Sequence, residues 1–419
     1  MADSRQVVLD IIRDRGPIGL RDIERLTGLG HTTVGSLVAE LRAQDAVVAD
    51  EAPPSRRRSG TGRPPILVSL NPDLARLVGV QFEHTHIRAA VTDLSFRIRD
   101  ESTRQLQVSR DADESLAVAT EMVRALIGAS GLPQSRFVGV AMALAAPIDQ
   151  KDGTVRTTTA LRDWVGRRPA EDLGRRLRLP VTIGNDATLA GFGEFVAGAA
   201  NGSLHSVYVK LSATIGCGIV IDGVPYVGAT GTAGELAHVV VDDRGELCYC
   251  GSRGCLNREI SVYRILRDLE SAHGSQLEDA TRGKSLDECL EVIVDWAVRG
   301  DAACQRKLRE IAGTVGLALV NLCNLVDPQT IVVGGVLSQA GDLLLEPLCE
   351  RVHTATREVT PSPVVIVRPS LGEKAEVLGA AALVLRSGRP QFKLRLQKLI
   401  DDPGSGHKEA DQRPPMRRN

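Results

Sequence analysis

Gly231-Thr232-Ala233-Gly234-Glu235-Leu236-Ala237-His238, followed by Cys248-Tyr249-Cys250-Gly251-Ser252-Arg253-Gly254-Cys255, is the most informative stretch of this sequence. His238, Cys248, Cys250 and Cys255 offer one imidazole and three thiolates, a closed tetrahedral set of the structural zinc type with no position left for a catalytic water. Gly251 and Gly254 let the chain turn tightly enough for the sulfurs to converge. Three reduced cysteines in a Gly-rich loop are the alternative, and the ordered spacing favours a zinc motif over residues 238–255. Three of the eight cysteines crowd into this loop. Met1 to Asp10 carries Asp3, Arg5 and Asp10 in place of a basic start and an apolar run, so no secretory signal is expected. A chain kept in the reducing cytoplasm uses clustered cysteines as metal ligands rather than disulfides.

Outward from the motif the texture is that of an α/β body. Strand patterns at Leu77-Val78-Gly79-Val80, Ala89-Ala90-Val91 and Phe137 to Met142, with a helix over Glu114 to Ile127, precede it. Strands at Ser206 to Leu211, Gly218 to Ile221 and Thr330 to Val333, with a helical region from Ser261 to Leu325, form a second such half. Two halves of this kind predict a two-lobed α/β body over residues 73–387 with a cleft between the lobes. At 419 residues the chain needs two or three domains, and with 3% aromatics its core must be built from Val, Leu, Ile and Ala. The longest apolar runs, such as Ile331 to Leu337, are too short to cross a bilayer, so no membrane partner is expected. Residues 388–419 are polar, with eight basic and four acidic side chains, and read as a disordered tail.

Residues 1–72 read differently. Val7, Val8, Ile11 and Ile12 give a helical face ended by Gly16-Pro17; Leu20, Ile23 and Leu26 give a short helix ended by Gly28. Val34, Leu37, Val38 and Leu41 then line a third helix, and two short helices joined by a Gly-containing turn make a helix-turn-helix pattern. Two strand candidates, Val47-Val48 and Ile66-Leu67-Val68, flank a segment carrying Arg56, Arg57, Arg58 and Arg63. Helices, turn and basic hairpin in that order predict a winged helix-turn-helix; the bland alternative is a flexible linker. His31, Thr32, Thr33 and Ser36 at the start of the third helix are short polar side chains suited to base edges or phosphates, although Thr32 also suits a plain cap.

Gly231 to His238, the Cys-x-Cys-Gly-x-x-Gly-Cys run, Leu256 and Val332-Val333-Gly334-Gly335 strongly resemble the signature of the ROK family (repressors, open reading frames and kinases). The resemblance implies an actin-like, sugar-kinase-like body and, for the family's regulators, an added N-terminal winged helix-turn-helix. It also implies a sugar site at Asn185, Asp186, Glu235 and His238, with Asp186 in the place of the kinases' catalytic base. Asn257 stands where sugar binders usually carry Glu, and Ala160-Leu161 where an Asn often precedes Trp164.

The donor side departs further. The family's Asp-x-Gly-Gly-Thr loop is Gln81-Phe82-Glu83-His84-Thr85, and its Gly-Thr-Gly-Ile-Gly-x-Gly loop is Ser212-Ala213-Thr214-Ile215-Gly216-Cys217-Gly218. Side chains at the lost glycines block the approach of backbone N–H groups to phosphate, and Glu83 adds negative charge. The expected function is a DNA-binding regulator that is not an enzyme, with Asp186 a vestigial base. Its expected partners are a double-stranded operator, a sugar or sugar-derivative effector, and further copies of itself in a homodimer or homotetramer. A sugar kinase with an accessory DNA-binding domain and a ligand-independent regulator are the alternatives.

Overall fold

Apolar residues at helical spacing organise the first 43 residues. Helix α1 (Ala2–Arg15) buries Val8, Leu9 and Ile12, α2 (Leu20–Thr27) buries Ile23, and α3 (His31–Ala43) buries Val34, Leu37, Val38 and Leu41. Gly28 closes α2 at φ 71°, its N–H bonded to the Glu24 carbonyl. Strands β1 (Ile18–Gly19), β2 (Val47–Glu51) and β3 (Ile66–Leu70) form an antiparallel sheet in the order β1-β3-β2, with Val48 opposite Ser69. At two residues, β1 is too short for any periodicity to announce it. The computed structural model describes residues 2–51, 66–156, 161–358 and 362–401. Arg56, Arg57, Arg58, Arg63 and Ala160 lie outside them.

The described residues divide into two compact units, those within 1–146, 151–184 and 380–401 forming the first and those within 147–150 and 185–379 the second. The first unit continues with β4 (Arg76–Phe82), β5 (His86–Thr92), β6 (Ile98–Gln105), α4 (Ala112–Ala129), β7 (Phe137–Leu144), α5 (Pro169–Leu177) and β8 (Val181–Asn185). Its sheet runs β6-β5-β4-β7-β8, with β4 antiparallel to β5 and parallel to β7. Trp164 is fully buried, its indole N–H donating to the Val108 carbonyl at 3.0 Å and its ring edge-on to Phe82.

The second unit holds α6 (Asp186–Ala197), β9 (Ser206–Leu211), β10 (Ile215–Ile221), β11 (Val224–Pro225) and α7 (Leu256–Glu259). Helices α8 (Val262–His273), α9 (Ser275–Thr281), α10 (Leu286–Val298) and α11 (Ala302–Val326) divide the stretch that reads as one helical region. Then come β12 (Thr330–Gly334), α12 (Asp342–Thr356) and β13 (Val365–Val367). The sheet order is β11-β10-β9-β12-β13, with β9 antiparallel to β10 and parallel to β12. Numbered within each half, both sheets have the order 3-2-1-4-5, so the two expected α/β halves share one topology. Helix α11 is long and apolar enough to cross a membrane by length and composition. Leu308, Ile311, Val315 and Leu319 on its buried face belong to the core of this unit.

Helix α13 (Ala375–Arg386) belongs to both units, Ala375–Gly379 to the second and Ala380–Arg386 to the first. Beyond it the expected disordered tail is corrected over residues 390–401 alone: α14 (Pro390–Asp401) is a helix that buries Phe392, Leu396, Leu399 and Ile400. Phe392 lies against Gly139 of β7, where any Cβ would overlap its ring, and Arg395 donates to the Phe137 carbonyl. The charge of the segment conceals its period: apolar residues at i, i+4, i+7 and i+8 cover a central strand that is buried along its whole length. Residues 402–419 lie outside the described residues.

Candidate functional site

In the second unit, Gly234 (φ 90°) turns the chain into a 3-10 turn over Leu236–His238; a Cβ there would overlap the Cys217 carbonyl. Bridges Val240–Cys255 and Leu247–Arg253, with the Cys248 N–H bonded to the Ser252 carbonyl at 2.7 Å, fold the following segment back on itself. The donor atoms of His238, Cys248, Cys250 and Cys255 consequently lie within 4.8 Å of one another. Cys248 Sγ is 3.7 Å from His238 Nδ1, and Cys250 Sγ is 3.6 Å from Cys255 Sγ. Around a tetrahedral ion with Zn–S and Zn–N bond lengths those separations would be about 3.6 Å and about 3.8 Å. The four residues can therefore hold one metal ion.

The surroundings polarise the thiols in opposite senses. The Ser252 backbone N–H holds Cys250 down to about 6, while burial pushes Cys255 up to about 12. His238 Nε2, the ring atom turned away from Cys248, meets the Tyr249 hydroxyl at 3.0 Å.

Asn185 and Asp186 lie where β8 gives way to α6. Asn185 is the N-cap, its Oδ1 accepting from the Thr188 N–H at 3.1 Å, and Asp186 is the first helical residue. Asp186 is buried, and Lys210 of β9 places Nζ 3.2 Å from its Oδ2 and 2.8 Å from Oε1 of the buried Glu376 in α13. Burial raises the Glu235 carboxyl; His238 opposes that shift and the charge of Asp186 adds to it, so these groups share one electrostatic neighbourhood. Asn257 follows buried Leu256 in α7, directly after Cys255 as N-cap.

The loops of the donor side are occupied by the chain itself. Gln81, 3% exposed at the end of β4, directs Nε2 to Glu83 Oε1 at 3.2 Å. In the second loop the Ala213 N–H donates to the carboxylate of Asp287 at 2.7 Å, and the Ser212 hydroxyl accepts from the Val336 N–H. A carboxylate thus holds a backbone donor of the kind a phosphate would need.

In the first unit His31, Thr32, Thr33 and Ser36 are all exposed, opposite the buried face of α3. His31 Nδ1 is 2.6 Å from Glu24 Oε1. Sequence reasoning missed Lys210, Glu376, Asp287 and Tyr249. Lys210 alone left a signal, as one charge inside the strand Ser-Val-Tyr-Val-Lys-Leu.

A family model described as the ROK family matches residues 77–387. The xylose repressor of Caldicellulosiruptor bescii is 25% identical over 384 residues, covering 91% of this chain and 95% of its own. The glucokinase of Thermotoga maritima is 28% identical over 319 residues, covering 74% of this chain and 97% of its own. Among solved structures, a ROK family transcriptional regulator, homolog of the E. coli Mlc protein, superposes with a TM-score of 0.72 at 21% identity, over 95% of this chain and 98% of that one. The repressor alignment thus extends beyond the family body, whereas the kinase alignment is about as long as that body.

Proposed function

The chain belongs to the ROK family, and from that membership we propose a DNA-binding transcriptional regulator that senses a sugar or sugar derivative without transferring phosphate. The observation that carries the reading is the outer face of α3: four polar, exposed residues at its start, backed by a buried apolar face, on a head that the kinase-length alignment does not need. We read residues 1–72 as a winged helix-turn-helix with α3 in the major groove, Arg56, Arg57, Arg58 and Arg63 on backbone phosphates, and two copies on paired half-sites. Residues 73–387 are the kinase-like body. The chain works in the cytoplasm beside its operator.

Selection of duplexes by the full chain, followed by gel-shift titration, tests the DNA reading. Replacing the four arginines with alanine should lower the slope of log affinity against log salt by roughly 3–4. An unchanged slope would remove them from the phosphate contacts.

His238, Cys248, Cys250 and Cys255 hold structural zinc, whose charge keeps the sulfurs as thiolates and fixes the segment that carries Glu235. Asn185, Asp186, Glu235, His238 and Asn257 accept and donate hydrogen bonds to sugar hydroxyls. The glucokinase likeness favours a second reading, ATP-dependent sugar phosphorylation. The engaged Ala213 amide and the Gln81–Glu83 pair argue against it. With glucose, xylose, mannose and N-acetylglucosamine, a coupled assay should show no ADP formation above that of an Asp186→Ala control. Turnover that this substitution abolishes would establish the kinase.

A further inference from the structure

Two ends of α13 are tied to different functional regions by charged side chains. At its start, Glu376 receives Lys210 at 2.8 Å, and Lys210 also holds Asp186 of the proposed sugar site. At its end, Arg386 donates from Nη2 to the Gly16 carbonyl at 2.9 Å, and its guanidinium lies over the Phe96 ring. Gly16 follows α1 directly, its own N–H bonded to the Ile12 carbonyl, so Arg386 places a cation on the negative end of a helix of the DNA-binding head. Burial lowers the Arg386 guanidinium to about 10, against the opposing charge of Asp14. Glu376 and Arg386 are ten positions apart on this continuous helix, about 15 Å of rise.

This helix has little freedom to slide. Val377, Leu378, Ala380, Ala381, Val384 and Leu385 along it are buried. It meets α6 glycine to backbone: a Cβ at Gly379 would overlap the Leu189 carbonyl, and one at Gly193 the Ala375 carbonyl. Helix α6 begins with Asp186 itself. A disturbance at Asp186 or Lys210 therefore falls on two helices packed without side chains between them.

We propose that α13 is the transmission element of this protein: a ligand that competes with Lys210 for Asp186 shifts the Lys210–Glu376 pair, and α13 passes the change through Arg386 to the junction of α1 and β1. The proposal rests on the regulator reading for what the helix serves, and its test separates the two.

The full chain is compared as wild type, Glu376→Gln, Arg386→Met and the double variant, without sugar, by hydrogen exchange of residues 16–27 and by affinity for a duplex selected with the wild type. Glu376→Gln keeps the Lys210–Asp186 pair and loosens only the start of α13. It should change exchange at 16–27 and shift duplex affinity about fivefold, the scale of a typical coupling between sites. On an Arg386→Met background the same substitution should have less than about twofold effect. Arg386→Lys, which keeps a cation, should restore part of the response and guards against a simple folding defect. If Glu376→Gln leaves residues 16–27 and duplex affinity unaltered, or acts equally with and without Arg386, the proposal is overturned. A further arm adds D-xylose or D-glucose to the wild type. The cycle present but no heat or exchange change with either sugar supports the helix coupling and counts against those sugars as its trigger.

Discussion

Cys255→Ser should lower the bound metal expected at the proposed site from about one zinc per chain to near none by elemental analysis, and unfold the segment it closes. Cys255 is fully buried, faces Cys250 across 3.6 Å and is the N-cap of α7. Cys255 therefore joins the donor cluster, through its own backbone, to the helix that carries Asn257. Structural zinc contributes on the order of 10 kcal/mol or more of apparent binding energy at neutral pH, and most of it disappears with one of four ligands. Leu236 and Leu256, which flank the donors in sequence, belong to the large core of the second unit, so loss of the ion reaches beyond the loop. Amides from Val239 to Leu256 should exchange freely in the variant, and a strong chelator should give the wild type the same pattern. Cys349→Ser, on α12 and outside the donor cluster, serves as control and should keep its zinc. Zinc retained at wild-type stoichiometry in Cys255→Ser would refute the four-ligand assignment.

Lys210→Met should cost about 3–5 kcal/mol of stability, the usual penalty for removing one partner from a buried charged group. The substitution keeps most of the side-chain volume and deprives two buried carboxylates, Asp186 and Glu376, of the cation they share. Denaturant midpoints would register the loss. Lys210→Met combined with Glu376→Gln should recover a measurable part of it, because one of the two carboxylates is then neutral. Equal losses in the single and double variants would show that the charge of Glu376 is not what Lys210 balances.

Much of this architecture was written locally in the chain. The helical faces at Val34, Leu37, Val38 and Leu41, and the strands around Val78, Val140 and Val332, follow from short-range apolar period, and each element appeared where its period placed it. The convergence of His238, Cys248, Cys250 and Cys255 was legible for the same reason: the four lie within 18 consecutive residues and glycines mark the turns between them. What stayed hidden depends on distance along the chain. Lys210 and Glu376 are separated by 166 positions and Gly16 and Arg386 by 370, and neither pair leaves a periodic trace. Asp287 looks like an ordinary acidic first-turn residue until its carboxylate is found on the Ala213 N–H. In α14 the error ran the other way, since charge count outweighed a helical period that Phe392, Leu396, Leu399 and Ile400 spell out.

The shared 3-2-1-4-5 order of the two sheets gives the altered loops a common address. Glu83-His84-Thr85 joins β4 to β5, and Ser212-Ala213-Thr214 joins β9 to β10; each is the hairpin between the first and second strands of its half. Both departures from the family's loop patterns therefore fall at the same corner of the two halves. In each half an acidic side chain, Glu83 or Asp287, has taken up a donor of its own chain. Restoring glycines to one loop would leave the donor at the other engaged, so opening both to a phosphate requires changes in both halves together.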